Sequence, residues 1–121
     1  MKTRNLITLT LIITLCSSLS IDAQNKYTCQ QIAKKTCINA KKLYDKYGES
    51  NKYIQHMYED YCNREDLYDE VTDSDFHSDW KGMYRELRDL NYAVNHMSNS
   101  GSKKSYYAIK KKYEMFEEYL E

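Results

Sequence analysis

The chain offers a helix almost nothing to break on. Its 121 residues contain no proline and only three glycines, Gly48, Gly82 and Gly101; proline is the residue that removes a helical hydrogen bond and clashes with the preceding turn. Four segments carry apolar residues at the i, i+3, i+4, i+7 spacing of a helix with one buried face. The first spans about 27–47, with Cys29, Ile32, Ala33, Thr36, Cys37, Ala40, Leu43, Tyr44 and Tyr47 on one stripe and Lys34, Lys35, Lys41 and Lys42 opposite. Gly48 ends it, and Ser50 or Asn51 can cap the next helix. The second carries Ile54, Met57, Tyr58, Tyr61, Cys62, Glu65 and Tyr68 and frays after Asn63, where charges crowd. The third, from Phe76, carries Trp80, Met83, Tyr84, Leu87, Leu90, Val94 and Met97. Gly82 lies inside it and costs up to ~1 kcal/mol against alanine unless a neighbour packs close. Residues 98–102 read as a loop, and the last helix spans about 103–120 with Tyr106, Ile109, Tyr113, Phe116 and Leu120 on its stripe. Short connections favour antiparallel neighbours. The expected fold is therefore all-α, a small bundle of about four antiparallel helices, with an irregular array and a split second helix as the alternative.

The first 23 residues predict a separate fate. Lys2 and Arg4 precede an apolar run from Leu6 to Leu15, followed by the small residues Ser17, Ser18 and Ser20 and a cleavage site after Ala23. This is the layout of a secretory signal peptide, too short to serve as a mature membrane span; cleavage after Ser20 is the alternative. The chain divides into a leader, 1–23, and a single helical domain, 24–121. The expected product is secreted and extracellular, with no stable membrane insertion. A domain of this size hides only about 60–65% of its unfolded surface, so its core is thin.

Charge limits the partners. There are 18 Lys+Arg and 18 Asp+Glu, and losing Lys2, Arg4 and Asp22 with the leader leaves a net charge of −1. A near-neutral chain is a poor candidate for neutralising many phosphates, so no nucleic-acid partner is expected. The charges are nonetheless segregated. Residues 26–46 hold six lysines and one aspartate, and residues 59–79 hold nine acids and one arginine. Either the two stretches complement each other across the bundle, or they form a bipolar surface that steers a partner. The lysines at 103, 104, 110, 111 and 112 loosely follow a nuclear localisation pattern, relevant only inside another cell.

Cys16 leaves with the leader, and Cys29, Cys37 and Cys62 remain for an oxidising compartment. Cys29 and Cys37 lie about 12 Å apart along one helix, beyond the ~7 Å reach of a disulfide. Cys37 and Cys62 each lie 12.5 positions from the turn centre between Glu49 and Ser50, which places them opposite each other in an antiparallel hairpin. The expected disulfide is Cys37–Cys62. Cys29 is left as a free thiol, either a buried small residue or the means of linking two chains.

No catalytic pattern emerges. His56, His77 and His96 lack a His or Cys at ligand spacing, there is no fourth cysteine to complete a zinc site, and no metal or other cofactor is expected. Carboxylate pairs such as Asp66 and Asp69 arise freely in so acidic a stretch, and the expectation is a protein that is not an enzyme. All 13 tyrosines follow the leader. Most suit the rim of a core, where the ring is buried and the hydroxyl wetted. Tyr68, among Asp66, Asp69 and Glu70, is the tyrosine expected to be exposed, and Tyr68, Asp69 and Glu70 form a candidate surface for a basic partner.

The stretch Tyr58-Glu59-Asp60-Tyr61-Cys62, following Cys29 and Cys37, resembles the cysteine–tyrosine–cysteine pattern of the aphid bicycle proteins, of which this chain carries one incomplete copy. Small, secreted, Tyr- and Lys-rich helical chains of this style look like salivary effectors of sap-feeding insects. The resemblance implies a non-enzymatic effector that binds a host protein and modulates host responses. Insect chemosensory proteins are similar in length and style, but they need four cysteines in two short loops, so their ligand-carrying role does not transfer. Two further expectations stand beside the effector: a carrier of small hydrophobic ligands with an interior lined by Met57, Met83 and Met97, and a structural or venom-like secreted component.

Overall fold

The computed structural model of the chain describes residues 21–74, 78–97 and 101–120, with side chains from residue 25 onward. Cys16, Phe76, His77 and most of the predicted leader lie outside the described residues. Four helical arms make the fold: α1 (Ile21–Tyr47); a composite second arm of α2 (Lys52–His56), the π-helical segments π1 (Met57–Cys62) and π2 (Glu65–Asp69), and α3 (Glu70–Asp73); α4 (Trp80–His96); and α5 (Lys103–Glu117). The architecture is the all-α bundle that the periodicity predicts. The second arm is split at Asn63, where charges crowd. Side-chain caps set three starts. Asn51 accepts from the Tyr53 and Ile54 amides at 2.9 and 3.1 Å, Asp79 from Gly82 at 3.0 Å and Ser102 from Ser105 at 3.0 Å; each satisfies amides that a helix start leaves orphaned. Asp79 therefore starts α4 at Trp80, later than the Phe76 start read from the stripe.

The arms alternate in direction, but their spatial order is not their chain order. α1 and the second arm run antiparallel. Lys26 Nζ donates to the Ser74 carbonyl at one end (3.2 Å) and Tyr44 Oη to Glu59 near the other (3.0 Å). α4 and α5 are likewise antiparallel, joined by Lys112 Nζ to Asp89 (3.3 Å) and Arg85 to Tyr119 Oη (3.3 Å). α1 and α4, however, run parallel side by side: Cys29 Sγ donates to the Trp80 carbonyl (3.3 Å) and Asn39 Nδ2 to Asn91 Oδ1 (3.1 Å). Among the described residues α4 does not adjoin the second arm. α1 and α4 are thus parallel neighbours, and for this pair the antiparallel-neighbour expectation fails. Side-chain size gives the reason. The buried face of α1 is small (Cys29, Ala33, Thr36, Cys37, Ala40), whereas α4 buries Trp80, Met83, Leu87, Leu90 and Val94; large residues interdigitate best with a small-residue face.

One core results, with Ile54, Met57, Leu67, Val71, Met83, Leu87, Leu90, Val94, Ile109 and Phe116 fully enclosed. Burying each large side chain contributes ~1.5–3 kcal/mol. Met57, Met83 and Met97 all belong to this packed interior. The tyrosines stand mostly at its rim, and Tyr53, Tyr61, Tyr106 and Tyr113 form a ladder between the second arm and α5, with ring centroids 5.2–5.9 Å apart. Gly82 admits the Tyr119 ring: a Cβ there would lie 2.5 Å from Tyr119 Cε1. Gly101 has φ +36°, a left-handed value that glycine adopts without strain, and its carbonyl accepts from Asn51 Nδ2 (3.2 Å). Glu86 is buried on α4 and pairs with Lys112 Nζ (3.6 Å) and Arg85 Nε (3.5 Å).

The cysteines depart from expectation. Cys29, Cys37 and Cys62 are all buried thiols, and the Cys37–Cys62 bridge is not formed. The two are close neighbours, since a charge on Cys37 would oppose ionisation of Cys62. The chain turns away directly after Cys62, and Cys37 Sγ instead donates to the Asn63 carbonyl (3.4 Å). Cys29 is enclosed between α1 and α4, so a bridge to a second chain through it would require those helices to part.

Candidate functional site

The site is built on a feature that helical periodicity does not announce. π1 and π2 are two π-helical segments in succession, a rare winding that recurs at functional positions. Asn63 joins them. Its φ/ψ of −81°/171° is extended, and its side chain serves both ends of the break. Nδ2 lies 3.2 and 2.8 Å from the Tyr58 and Glu59 carbonyls and 2.8 Å from Asp66 Oδ2, while Oδ1 accepts from the Asp66 amide (2.9 Å). The wide turns carry Tyr58, Arg64 and Tyr68 towards α1, whose residues 34, 37, 38 and 41 share one face.

Between them lies a groove of about 230 Å³ lined by Lys34, Cys37, Ile38, Lys41, Tyr58, Arg64 and Tyr68. Its walls are aromatic and its rim is cationic. Tyr58 is held by stacking on Tyr44, centroids 4.6 Å apart, and Tyr44 is held by Glu59. The Arg64 guanidinium lies 5.0 Å from the Tyr68 ring centroid and contacts Asp69 Oδ1 through Nε at 3.4 Å. Lys41 Nζ sits 5.9 Å from the Tyr58 ring and 3.1 Å from Asp45; that hydrogen bond raises its pKa further. Lys34 has no ion-pair partner among the described residues. Ile38 is an apolar side chain on the lysine face of α1 and remains 47% exposed. Burial pushes the Cys37 thiol up to about 11, so at neutral pH it is protonated and a weak nucleophile.

The candidate surface is thus only partly assembled as expected. Tyr68 is half-buried and does line a groove, but the charges facing it are cations. Asp69 sits at the rim with its charge directed at Arg64. Glu70 is exposed outside the lining. Lys34, Ile38, Lys41, Tyr58 and Arg64 escape a reading based on clusters of acids and tyrosines. The available signal was Ile38, an apolar residue off the buried stripe and flanked by lysines one turn away on either side.

The other candidates do not converge. His56 lies 3.4 Å from Asp60 on its own helix. The ring of His96 stacks on Tyr92, with Nδ1–H donating to the Tyr92 carbonyl (2.9 Å). No group of three or more potential metal ligands gathers among the described residues, and no described helix is long and apolar enough to cross a membrane. Comparison with protein-family models, curated proteins and solved structures finds no match to this chain.

Proposed function

We propose that the chain is an exported, non-enzymatic binding protein, a salivary-effector-like molecule that acts on a host protein through the groove between α1 and the π-helical arm. The observation that carries this reading is the groove itself: two preorganised tyrosines and an exposed isoleucine ringed by Lys34, Lys41 and Arg64. Aromatic anchors with a charged rim are what a protein-recognition site requires, with area from the rings and steering from the charges. The groove offers no nucleophile–base pair, and its one thiol is held protonated. The sign of the rim selects an acidic segment of the partner, the reverse of the partner expected from Asp69 and Glu70. Export follows from the leader.

A photo-crosslinking residue at Ile38, with a second at Glu118 as control, tests the reading on intact secreted protein exposed to host tissue. The expected result is one crosslinked host protein from position 38, joined through an acidic peptide, and none in common from position 118. Equal products from both positions, or a basic crosslinked peptide, would overturn it.

A further inference from the structure

A second depression lies elsewhere on the molecule, between α4 and α5, and shares no residue with the first. It is the larger, about 630 Å³. On α5, residues 104, 105, 108, 111, 112 and 115 fall on one face at three- and four-residue spacing; on α4, residues 89, 92, 93 and 96 do the same. Because the two helices pack antiparallel, their faces form a trough along both axes. From 104 to 115 the trough runs ~16 Å, or three helical turns.

The floor is small and apolar, Ala93 and Ala108, with Met115 beside them. Small residues allow close approach of another backbone, and methionine adapts to what is laid against it. Tyr92 forms a wall and is 64% exposed. Its ring is not loose, because His96 stacks on it at 3.9 Å while anchored to the Tyr92 carbonyl. An exposed aromatic already fixed in place loses little freedom on binding. The charges decide the partner's sign. Asp89 lies 3.3 Å from Lys112 and 3.4 Å from Arg88. Lys104 and Lys111 have no ion-pair partner among the described residues, leaving a cationic rim above an apolar floor.

We infer that this trough is a second docking site, one that receives an acidic amphipathic helix of a partner protein as a fifth helix laid between α4 and α5. Helix-in-groove recognition needs an apolar groove for the anchors of the incoming helix, and a rim of opposite charge adds steering; Ala93, Ala108 and Met115 supply the first and Lys104 and Lys111 the second. The site is separate from the groove at Tyr68 and does not depend on that reading.

The test uses the full chain and two designed peptides of about 18 residues. One has leucines at i, i+3, i+4, i+7 spacing flanked by glutamates, and its twin has lysine for every glutamate. Fluorescence anisotropy should show the acidic peptide bound at least tenfold more tightly than the twin. Tyr92→Ala and Ala108→Trp, both at exposed positions, should each weaken it tenfold or more with the circular dichroism unchanged, and a Lys104→Glu/Lys111→Glu variant should reverse the preference. Lys34→Glu, in the other groove, should leave the affinity unchanged. Failure of the acidic peptide to bind, equal binding of the twin, or indifference to Tyr92→Ala and Ala108→Trp would overturn the assignment.

Discussion

Asn63 is the residue on which the local structure turns. Its single amide links the end of π1 to the start of π2, and no other described side chain contacts both the Tyr58 carbonyl and the Asp66 amide. Replacing it with alanine leaves partly buried groups unpaired, at ~1–3 kcal/mol. Asn63→Ala should therefore lower the unfolding free energy by that amount, read as a lower urea midpoint at unchanged m-value, and weaken binding in the adjacent groove; an unchanged midpoint would contradict the role. Gly82 gives a second residue-scale prediction. Glycine to alanine inside a helix ordinarily adds up to ~1 kcal/mol. Here the new Cβ meets the Tyr119 ring, so Gly82→Ala should give much less. Part of the gain should reappear in a Tyr119→Ala background, the remainder being held back by the Asp79 cap carboxylate 2.8 Å from the new Cβ, measured as a double-mutant cycle in denaturant. A full gain in the wild-type background would show that the ring moves aside freely.

At the scale of elements, the second arm and α5 meet through hydroxylated rings. Tyr106 Oη donates to Tyr61 Oη at 3.4 Å, and both rings lie within the ladder. Tyr61→Phe and Tyr106→Phe should each cost no more than ~1 kcal/mol, and the double variant should cost less than their sum, because either change alone removes the same bond. Strict additivity would mean that the hydroxyls bond elsewhere. The ladder also shows what the sequence discloses and what it hides. The stripes of α1, α4 and α5 are legible because 3.6-residue periodicity places Ala33, Leu87 and Ile109 inward and Lys34, Arg88 and Lys111 outward. The π winding of 57–69 is not legible, because its signal is one asparagine bridging a break rather than a period. The order of packing is hidden too. The connection after Ser74 is short enough to suggest neighbours, and only the match of a small α1 face to a large α4 face moves α4 beside α1.

For the whole molecule, burial of ionisable groups sets the response to pH. Burial raises the Cys29 thiol to about 12 and the Cys37 thiol to about 11, and pushes Cys62, Tyr61 and Tyr113 upwards as well. A group raised in the folded state favours folding fully below its unfolded pKa, and that stability is lost as pH climbs towards the folded value. With unfolded thiols near 8.5, the reduced protein should hold a level melting temperature to about pH 8 and lose stability from there to pH 11. The loss should be smaller in Cys29→Ala. A flat profile to pH 11 would contradict the burial of these thiols. The segregated charges have a whole-molecule meaning as well. The acidic stretch lies beside basic α1, but no ion pair among the described residues joins the two; Lys41 turns to Asp45 of its own helix and Asp69 to Arg64.

The inversion of sign around Tyr68 separates the structural account from the reading of the linear sequence, and one measurement addresses it. The affinity of the crosslinked host segment for the full chain is compared among wild type, a Lys34→Glu/Arg64→Glu variant and an Asp69→Lys/Glu70→Lys variant, at low and high salt, with folding checked by circular dichroism. The first variant should weaken binding tenfold or more at low salt, and the second should bind as well as wild type or better because Arg64 is released from its acid. Weakened binding of the Asp69→Lys/Glu70→Lys variant, with the Lys34→Glu/Arg64→Glu variant unaffected, would contradict it.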